Sequence, residues 1–141
     1  MAIDFLERCD AIEECYEFLL GYAAQGLPSD PDGPAGREIR NRLEQGRDAL
    51  VGLPESCRRA IDHHQLEASG RYDAFCSMLE RDVRDSLAAV ELVLAQPGIS
   101  SQLIDNLNAS SHVRALLTDL FLFGEILRTR VKVTTAVGTD T

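Results

Sequence analysis

The most apolar segment of this chain, residues 113–127, constrains the fold more than any other feature. At about 100° per residue in an α-helix, four large apolar side chains fall on one side: Leu116, Leu120, Phe123 and Leu127. Phe121 and Leu122 instead border the polar strip on the opposite side. A helix that is apolar nearly all round is usually buried by several neighbours. We therefore expect one long helix that packs centrally among the others or extends into a partner chain.

Three further stretches repeat apolar residues at spacings of three and four, which is typical of amphipathic helices. With the C-terminal segment, they predict four helices, at about 3–24, 35–53, 71–96 and 100–130. Gly26 is a suitable stop for the first helix, Pro34 suits the first turn of the second, and Ser100 or Ser101 suits the N-cap of the last. Four amphipathic stripes predict an all-α four-helix bundle.

Two short segments complete this architecture. Pro54 interrupts the second pattern and predicts a short extra helix near 54–68. Around Ser110 the last pattern weakens, and Ser110 or Ser111 could cap a restarted helix; we favour one helix that bends at this point. The chain length fits one domain, which we place at 1–131, followed by a flexible C-terminal tail at 132–141.

The second predicted helix carries Gly46 on its apolar face, and Arg37, Arg40 and Arg47 lie toward one flank. Glycine lowers helix propensity, and a close contact with another helix would explain its presence at this position. Because the first helix is acidic, we expect the arginines to pair with it across an antiparallel contact.

The charge balance disfavours several classes of partner. The chain has 23 acidic and 14 basic residues, for a formal net charge of −9. Nucleic acids and anionic membranes attract basic surfaces, so neither is an expected partner. We find neither an apolar run of about 18 residues nor a secretory signal at the N-terminus, and therefore expect a cytoplasmic protein.

The four cysteines, Cys9, Cys15, Cys57 and Cys76, form no Cys-x-x-Cys motif. In a reducing compartment such residues are usually small core residues rather than disulfides. Cys57 and His64 are seven residues apart, about 10.5 Å along a helix, so a metal site would have to recruit others. A sensor that holds a small ligand or a metal near Cys57, His64 and Cys76 stays open as an alternative.

A second alternative is enzymatic. The segment from Arg59 to His64 places an arginine and a histidine with four residues between them, which is similar to a signature of HEPN-type helical ribonucleases. The resemblance covers six residues. It implies RNA cleavage, with His64 in acid–base work and Arg59 stabilising the phosphate.

Three large apolar residues lie outside the helix faces that the core of a monomer would bury. Phe18 sits off the main apolar stripe of the first helix, and Phe121 and Leu122 border the polar strip of the last. A contiguous apolar patch usually marks an interface. The sequence therefore predicts a non-catalytic accessory, adaptor or chaperone-like protein without a cofactor, which binds another protein and forms a homodimer through these residues.

Overall fold

The structure, a computed structural model, describes residues 2–66 and 70–139. It contains six helices: α1 (Ala2–Ala24), α2 (Pro34–Val51), α3 (Leu53–His64), α4 (Arg71–Leu94), α5 (Ser101–Ala109) and α6 (Ser111–Thr139). No strand occurs in this described part of the chain, and the predicted all-α class is confirmed.

Helices α1 and α4 pack against more of the other helices than α6 does. Each packs against α2, α3, α5 and α6, whereas α6 packs against α1, α4 and α5. The prediction that the last helix is the central one is therefore wrong. Its apolar side is buried, with Leu120 and Phe123 each 1 % exposed, but Phe121 and Leu122 are 55 % and 56 % exposed. The helix is covered on one side and open to solvent on the other.

Local sequence signals set most of the helix boundaries. Beyond the end of α1, Gly26 adopts a φ of 64°, a left-handed conformation that glycine reaches without strain. Pro34 begins α2, as predicted. Between α2 and α3 lies the single residue Gly52, and α3 ends at His64, followed by the C-cap residue Gln65 with a φ of 55°. The predicted extra helix near 54–68 is thus shorter, and residues 67–69 lie outside the described part.

The last predicted helix is split in two, which corrects the expectation of a continuous helix. Ser110 leaves the helical region with a ψ of 131°, and its backbone N–H donates to the Leu107 carbonyl. Its hydroxyl oxygen then accepts from the His112 N–H and so caps α6. At the start of α5, the Ser100 hydroxyl accepts from the Leu103 N–H at 3.1 Å, as expected of an N-cap.

Helix α6 runs to Thr139 and therefore extends beyond the predicted end near residue 130. Its last turns overlap the segment 132–141 that the sequence analysis assigned to a tail. Residues 140–141 lie outside the described residues.

Two clusters of buried side chains form the core. The first joins α1, α2, α3, α4 and α6 around Phe5, Leu79 and Phe123. The second joins α1, α2, α4 and α5 around Leu19 and Ile104. Because α1, α2 and α4 contribute to both clusters, these three helices link the two halves of the molecule.

Arg40 and Arg47 of α2 pair with α4 and its C-terminal end rather than with α1, and Arg37 donates to the Asp32 carbonyl, which corrects the predicted charge pairing. Arg40 donates to the carbonyl oxygens of Leu94 and Gln96 at 2.6 and 2.7 Å. Arg47 lies 3.8 Å from the Glu91 carboxylate. Arg40 thus satisfies carbonyls that the end of α4 leaves without helical partners, and it fixes α2 against α4.

The close contact expected at Gly46 is present between α1 and α2. Gly46 is buried, and a Cβ atom at this position would lie 2.8 Å from Cys15 Sγ and 3.3 Å from Cys15 Cβ. The Cys15 thiol lies 3.4 Å from the Arg42 carbonyl oxygen, to which it donates. The absence of a side chain at Gly46 thus permits the two helices to approach.

We expect Gly46→Ala to lower the free energy of unfolding by about 1–3 kcal/mol, because the added methyl group overpacks this contact. Gly21→Ala is the matched control, since Gly21 lies in α1 with no atom within 4 Å of an added Cβ. It should stabilise the protein by about 0.5–1 kcal/mol through helix propensity alone. Urea denaturation measures both changes, and equal effects of the two substitutions would contradict the close contact.

Candidate functional site

An open groove lies between the first turns of α4 and the second half of α6. We call it the α4–α6 groove, and it has a volume of about 410 Å³. Its walls and floor are formed by the following residues: Leu66, Arg71, Tyr72, Phe75, Leu122, Phe123, Ile126 and Arg130. This volume lies within the ~300–1,000 Å³ of typical ligand pockets.

A cluster of aromatic rings forms the floor of the groove. The Phe123 ring centroid lies 5.2 Å from that of Phe75 and 6.3 Å from that of Tyr72, both on α4. Below it, Phe5 of α1 meets Phe123 edge-on at 5.3 Å. Aromatic pairs in such arrangements contribute about 0.5–1.5 kcal/mol each beyond their buried area. The floor of the groove is therefore fixed by the core itself.

Two arginines stand at the edge of this apolar surface. Arg71 and Arg130 are exposed, and neither forms an ion pair with another side chain that the structure describes. Most other arginines of the chain do have carboxylate or carbonyl partners, such as Arg58 with Glu80 and Arg128 with Asp10. The groove therefore offers two available positive charges on a protein whose net charge is −9.

The three residues predicted as an interface do not lie on one surface. Leu122 lines the α4–α6 groove. Phe121 is the next residue of α6, about 100° around the helix, on the other border of the polar strip. Phe18 is half-buried on α1, with the Arg42 guanidinium 4.7 Å above its ring. It belongs to the contact between α1 and α2.

Beside the groove, the contact between α4 and α6 contains an acidic pair. Asp119 of α6 is 5 % exposed and shares a side-chain hydrogen bond with Asp82 of α4. Burial, followed by the adjacent Asp82 carboxyl, raises the pKa of Asp119 to about 8. The second carboxyl oxygen of Asp119 has no partner among the described atoms. One proton shared by the two carboxyls accounts for their close approach inside the protein.

The two residues of the ribonuclease alternative point in different directions. Five residues along a helix correspond to about 140° of rotation. The Arg59 guanidinium binds the carboxylates of Asp4 at 2.9 Å and Glu55 at 3.2 Å. His64 is half-buried, and burial followed by the adjacent His63 lowers its pKa. A phosphate would have to displace two carboxylates from Arg59, and His64 is largely neutral at pH 7.

The structure brings together two members of the proposed metal set. Cys57 Sγ and Cys76 Sγ are 3.5 Å apart in the core. Among the described residues, no group of three or more His, Cys, Asp or Glu side chains is arranged to hold a metal ion, so His64 does not join the two cysteines in such a group. All four cysteines are free thiols.

The interior offers little space for a small ligand. A cavity of about 40 Å³ lies between the two core clusters, and its wall is almost entirely apolar, including Ile12, Leu50 and Leu116. A cavity of this size has room for about one or two waters, but an apolar wall gives a water too few hydrogen-bond partners. The groove, by contrast, is open and ten times larger.

No known protein family, characterised protein or solved structure matches this chain. Over the residues that the structure describes, none of the helices combines the length and the apolar composition that a membrane span requires.

The sequence analysis identified Leu122, but it did not identify the two arginines at the edge of the groove. Arg71 and Arg130 are 59 positions apart in the numbering and read as ordinary surface residues. Asp119 did carry a usable signal. It lies three residues after Leu116 and four before Phe123, which places a carboxylate at the edge of a buried apolar face.

The acidic pair predicts a characteristic dependence of stability on pH. The pKa of Asp119 is raised above its unfolded value near ~4, so the folded state binds more protons than the unfolded state between about pH 4 and 8. The free energy of unfolding should therefore fall as the pH rises through this window. Asp119→Asn removes the titrating group, and we expect it to stabilise the protein at pH 8 by about 1–3 kcal/mol, with a smaller gain at pH 5.

Asp105→Asn is the control for this prediction, because Asp105 is exposed on α5 and the substitution likewise replaces an aspartate with its neutral amide. Urea denaturation at pH 5 and pH 8 measures the effect. If wild type and Asp119→Asn lost stability in parallel over this range, the raised pKa of Asp119 would be refuted.

Proposed function

We propose that this protein is a non-catalytic accessory or adaptor protein that binds an amphipathic helix of another protein in the α4–α6 groove. The observation that carries this proposal is an aromatic floor bordered by two arginines without ion-pair partners among the described residues. An amphipathic helix in such a groove inserts apolar side chains at spacings of three, four and seven residues.

The charges of the groove favour a partner with an acidic polar face. Carboxylates that flank the apolar residues of the ligand would meet Arg71 and Arg130, which lie at the edge of the groove. Complementary charge of this kind contributes mainly to specificity and to the rate of association. The acidic surface of the rest of the protein would repel the same ligand elsewhere, so binding would be confined to the groove. Nucleic acids would be repelled for the same reason.

A second copy of the chain is a particular case of such a partner. Phe121 and Leu122 are both more than half exposed on α6, and a symmetric contact through this helix would cover them in a homodimer. We place the protein in the cytoplasm. Its four free cysteines, three of them buried, support a reducing compartment.

Selection from a displayed library of amphipathic helical peptides tests the groove directly. We expect enriched peptides to combine Leu or Phe anchors with neighbouring Asp or Glu. Leu122→Asp should weaken their binding by roughly tenfold, about 1.4 kcal/mol, because it adds a charge to the apolar wall. Leu92→Asp is the matched control, since Leu92 is 66 % exposed on α4 and lies outside the groove. Selection of no peptide that depends on Leu122 would rule out this function.

Sedimentation equilibrium distinguishes a homodimer from a heterologous partner. If the partner is a second copy, wild type should form dimers at micromolar concentration, and Phe121→Ser combined with Leu122→Asp should make it monomeric. The Leu92→Asp variant should still dimerise. A wild-type protein that stays monomeric at high concentration would exclude the homodimer and leave the groove for another protein.

A further inference from the structure

Two buried thiols meet where α3 packs against α4. Cys57 Sγ and Cys76 Sγ are 3.5 Å apart, one on each helix and 19 residues apart in the chain. Both side chains are almost completely buried, at 0 % and 2 % exposed. At this separation the two sulfurs are within reach of a covalent bond after a small movement of either side chain.

A second pocket leads from the surface to Cys76. It has a volume of about 400 Å³, it is open to solvent, and its lining includes Arg58, Ile61, Tyr72 and Cys76. Arg58 is held at this pocket by Asp73 at 3.3 Å and Glu80 at 3.2 Å. A small polar molecule that enters the pocket therefore meets a guanidinium group, the carboxylates of Asp62 and Asp73, and a wall to which Cys76 contributes.

The two thiols of the pair are not equivalent. The hydrogen bond with Cys57 lowers the pKa of Cys76, and the charge of Arg58 acts in the same direction against the effect of burial. The same hydrogen bond, together with burial, raises the pKa of Cys57. Cys76 is also the member of the pair that lines the pocket, and the thiolate is the nucleophilic form of cysteine, so we assign the attack to Cys76.

We propose that Cys57 and Cys76 form a thiol–disulfide redox site that reacts with a small hydroperoxide entering through this pocket. In the first step the Cys76 thiolate attacks one oxygen of the O–O bond. The bond breaks, Cys76 becomes a sulfenic acid, and the other oxygen leaves with a proton as water or an alcohol.

In the second step the Cys57 thiol attacks the sulfenic sulfur of Cys76. A disulfide forms between α3 and α4, and the sulfenic oxygen leaves as water with the thiol proton. Two electrons have then passed from the two sulfurs to the peroxide. A small dithiol reductant restores both thiols by exchange and is itself oxidised to a disulfide.

The other two cysteines lack these features and provide a control. Burial raises the pKa of Cys9 to about 12 and that of Cys15 to about 11. Neither has a second sulfur within hydrogen-bond distance in the part of the chain that the structure describes. Cys9 is buried in the same core cluster as the pair, so Cys9→Ala is the matched control substitution.

Titration of the native protein with hydrogen peroxide tests this proposal. Wild type should lose two of its four thiols, with a mass lower by two hydrogens and a disulfide between the peptides that contain Cys57 and Cys76. Cys9→Ala should behave in the same way. Dithiothreitol should restore all the thiols.

The two single variants should separate the roles of the sulfurs. Cys57→Ala should stop at a sulfenic acid on Cys76, which dimedone traps. Cys76→Ala should slow the oxidation by roughly tenfold or more, because the remaining Cys57 does not line the pocket and burial still raises its pKa, and the thiolate fraction falls tenfold for each unit by which the pKa rises. Circular dichroism of each variant confirms that it is folded.

Three results would overturn the proposal. One is a wild-type protein that keeps four thiols while it is folded. Another is an oxidation rate equal to the rate of global unfolding, where urea pulse experiments on the same sample measure the unfolding rate. The third is a disulfide that includes Cys9 or Cys15. The test does not depend on the α4–α6 groove, because it reads the chemistry of the sulfurs and not the binding of a partner.

Discussion

The packing of Phe123 against rings from two other helices is the contact on which the rest of this structure depends. Phe5 of α1 meets one side of the Phe123 ring, and Tyr72 and Phe75 of α4 meet the others. Helix α6 has no partner on its outer side in the described structure, so its position rests on this apolar face. The same rings form the floor of the α4–α6 groove. Stability and the candidate site therefore come from one set of side chains.

The helices could be predicted because their signals are local. A stripe of apolar residues at spacings of three and four identifies a helix, and Gly26, Pro34 and Ser100 act within one turn of their own positions. The break at Ser110 was harder, because a serine suits a cap and an exposed helical position alike. A contact with a distant part of the chain also acts at this break. The Asn108 side chain in the last turn of α5 donates to the Leu19 carbonyl at 3.2 Å.

The arrangement of the helices could not be predicted in the same way. A helical stripe shows which face is buried, but it does not show which neighbour covers that face or how far the cover extends. The apolar character of residues 113–127 indicated a helix covered by several neighbours or by a partner chain, but it could not show that α1, α4 and α5 cover one side and leave Phe121 and Leu122 exposed. The residue pairs of the candidate sites could not be predicted from the sequence for the same reason. Asp82 with Asp119 and Cys57 with Cys76 are pairs between helices, and no periodicity within one helix relates their members.

Tyr72 connects the two candidate sites, because it lines both the α4–α6 groove and the pocket that leads to Cys76. A disulfide between Cys57 and Cys76 would bring the two sulfurs from 3.5 Å to the length of an S–S bond, and any part of this movement that the side chains do not supply would shift α4 against α3. Cys76 follows Tyr72 by one helical turn, so a shift of α4 at Cys76 moves the Tyr72 ring as well. Close-packed side chains transmit such shifts instead of absorbing them. An oxidation that moves α4 at Cys76 would therefore also alter the α4–α6 groove, because Tyr72 forms part of its lining.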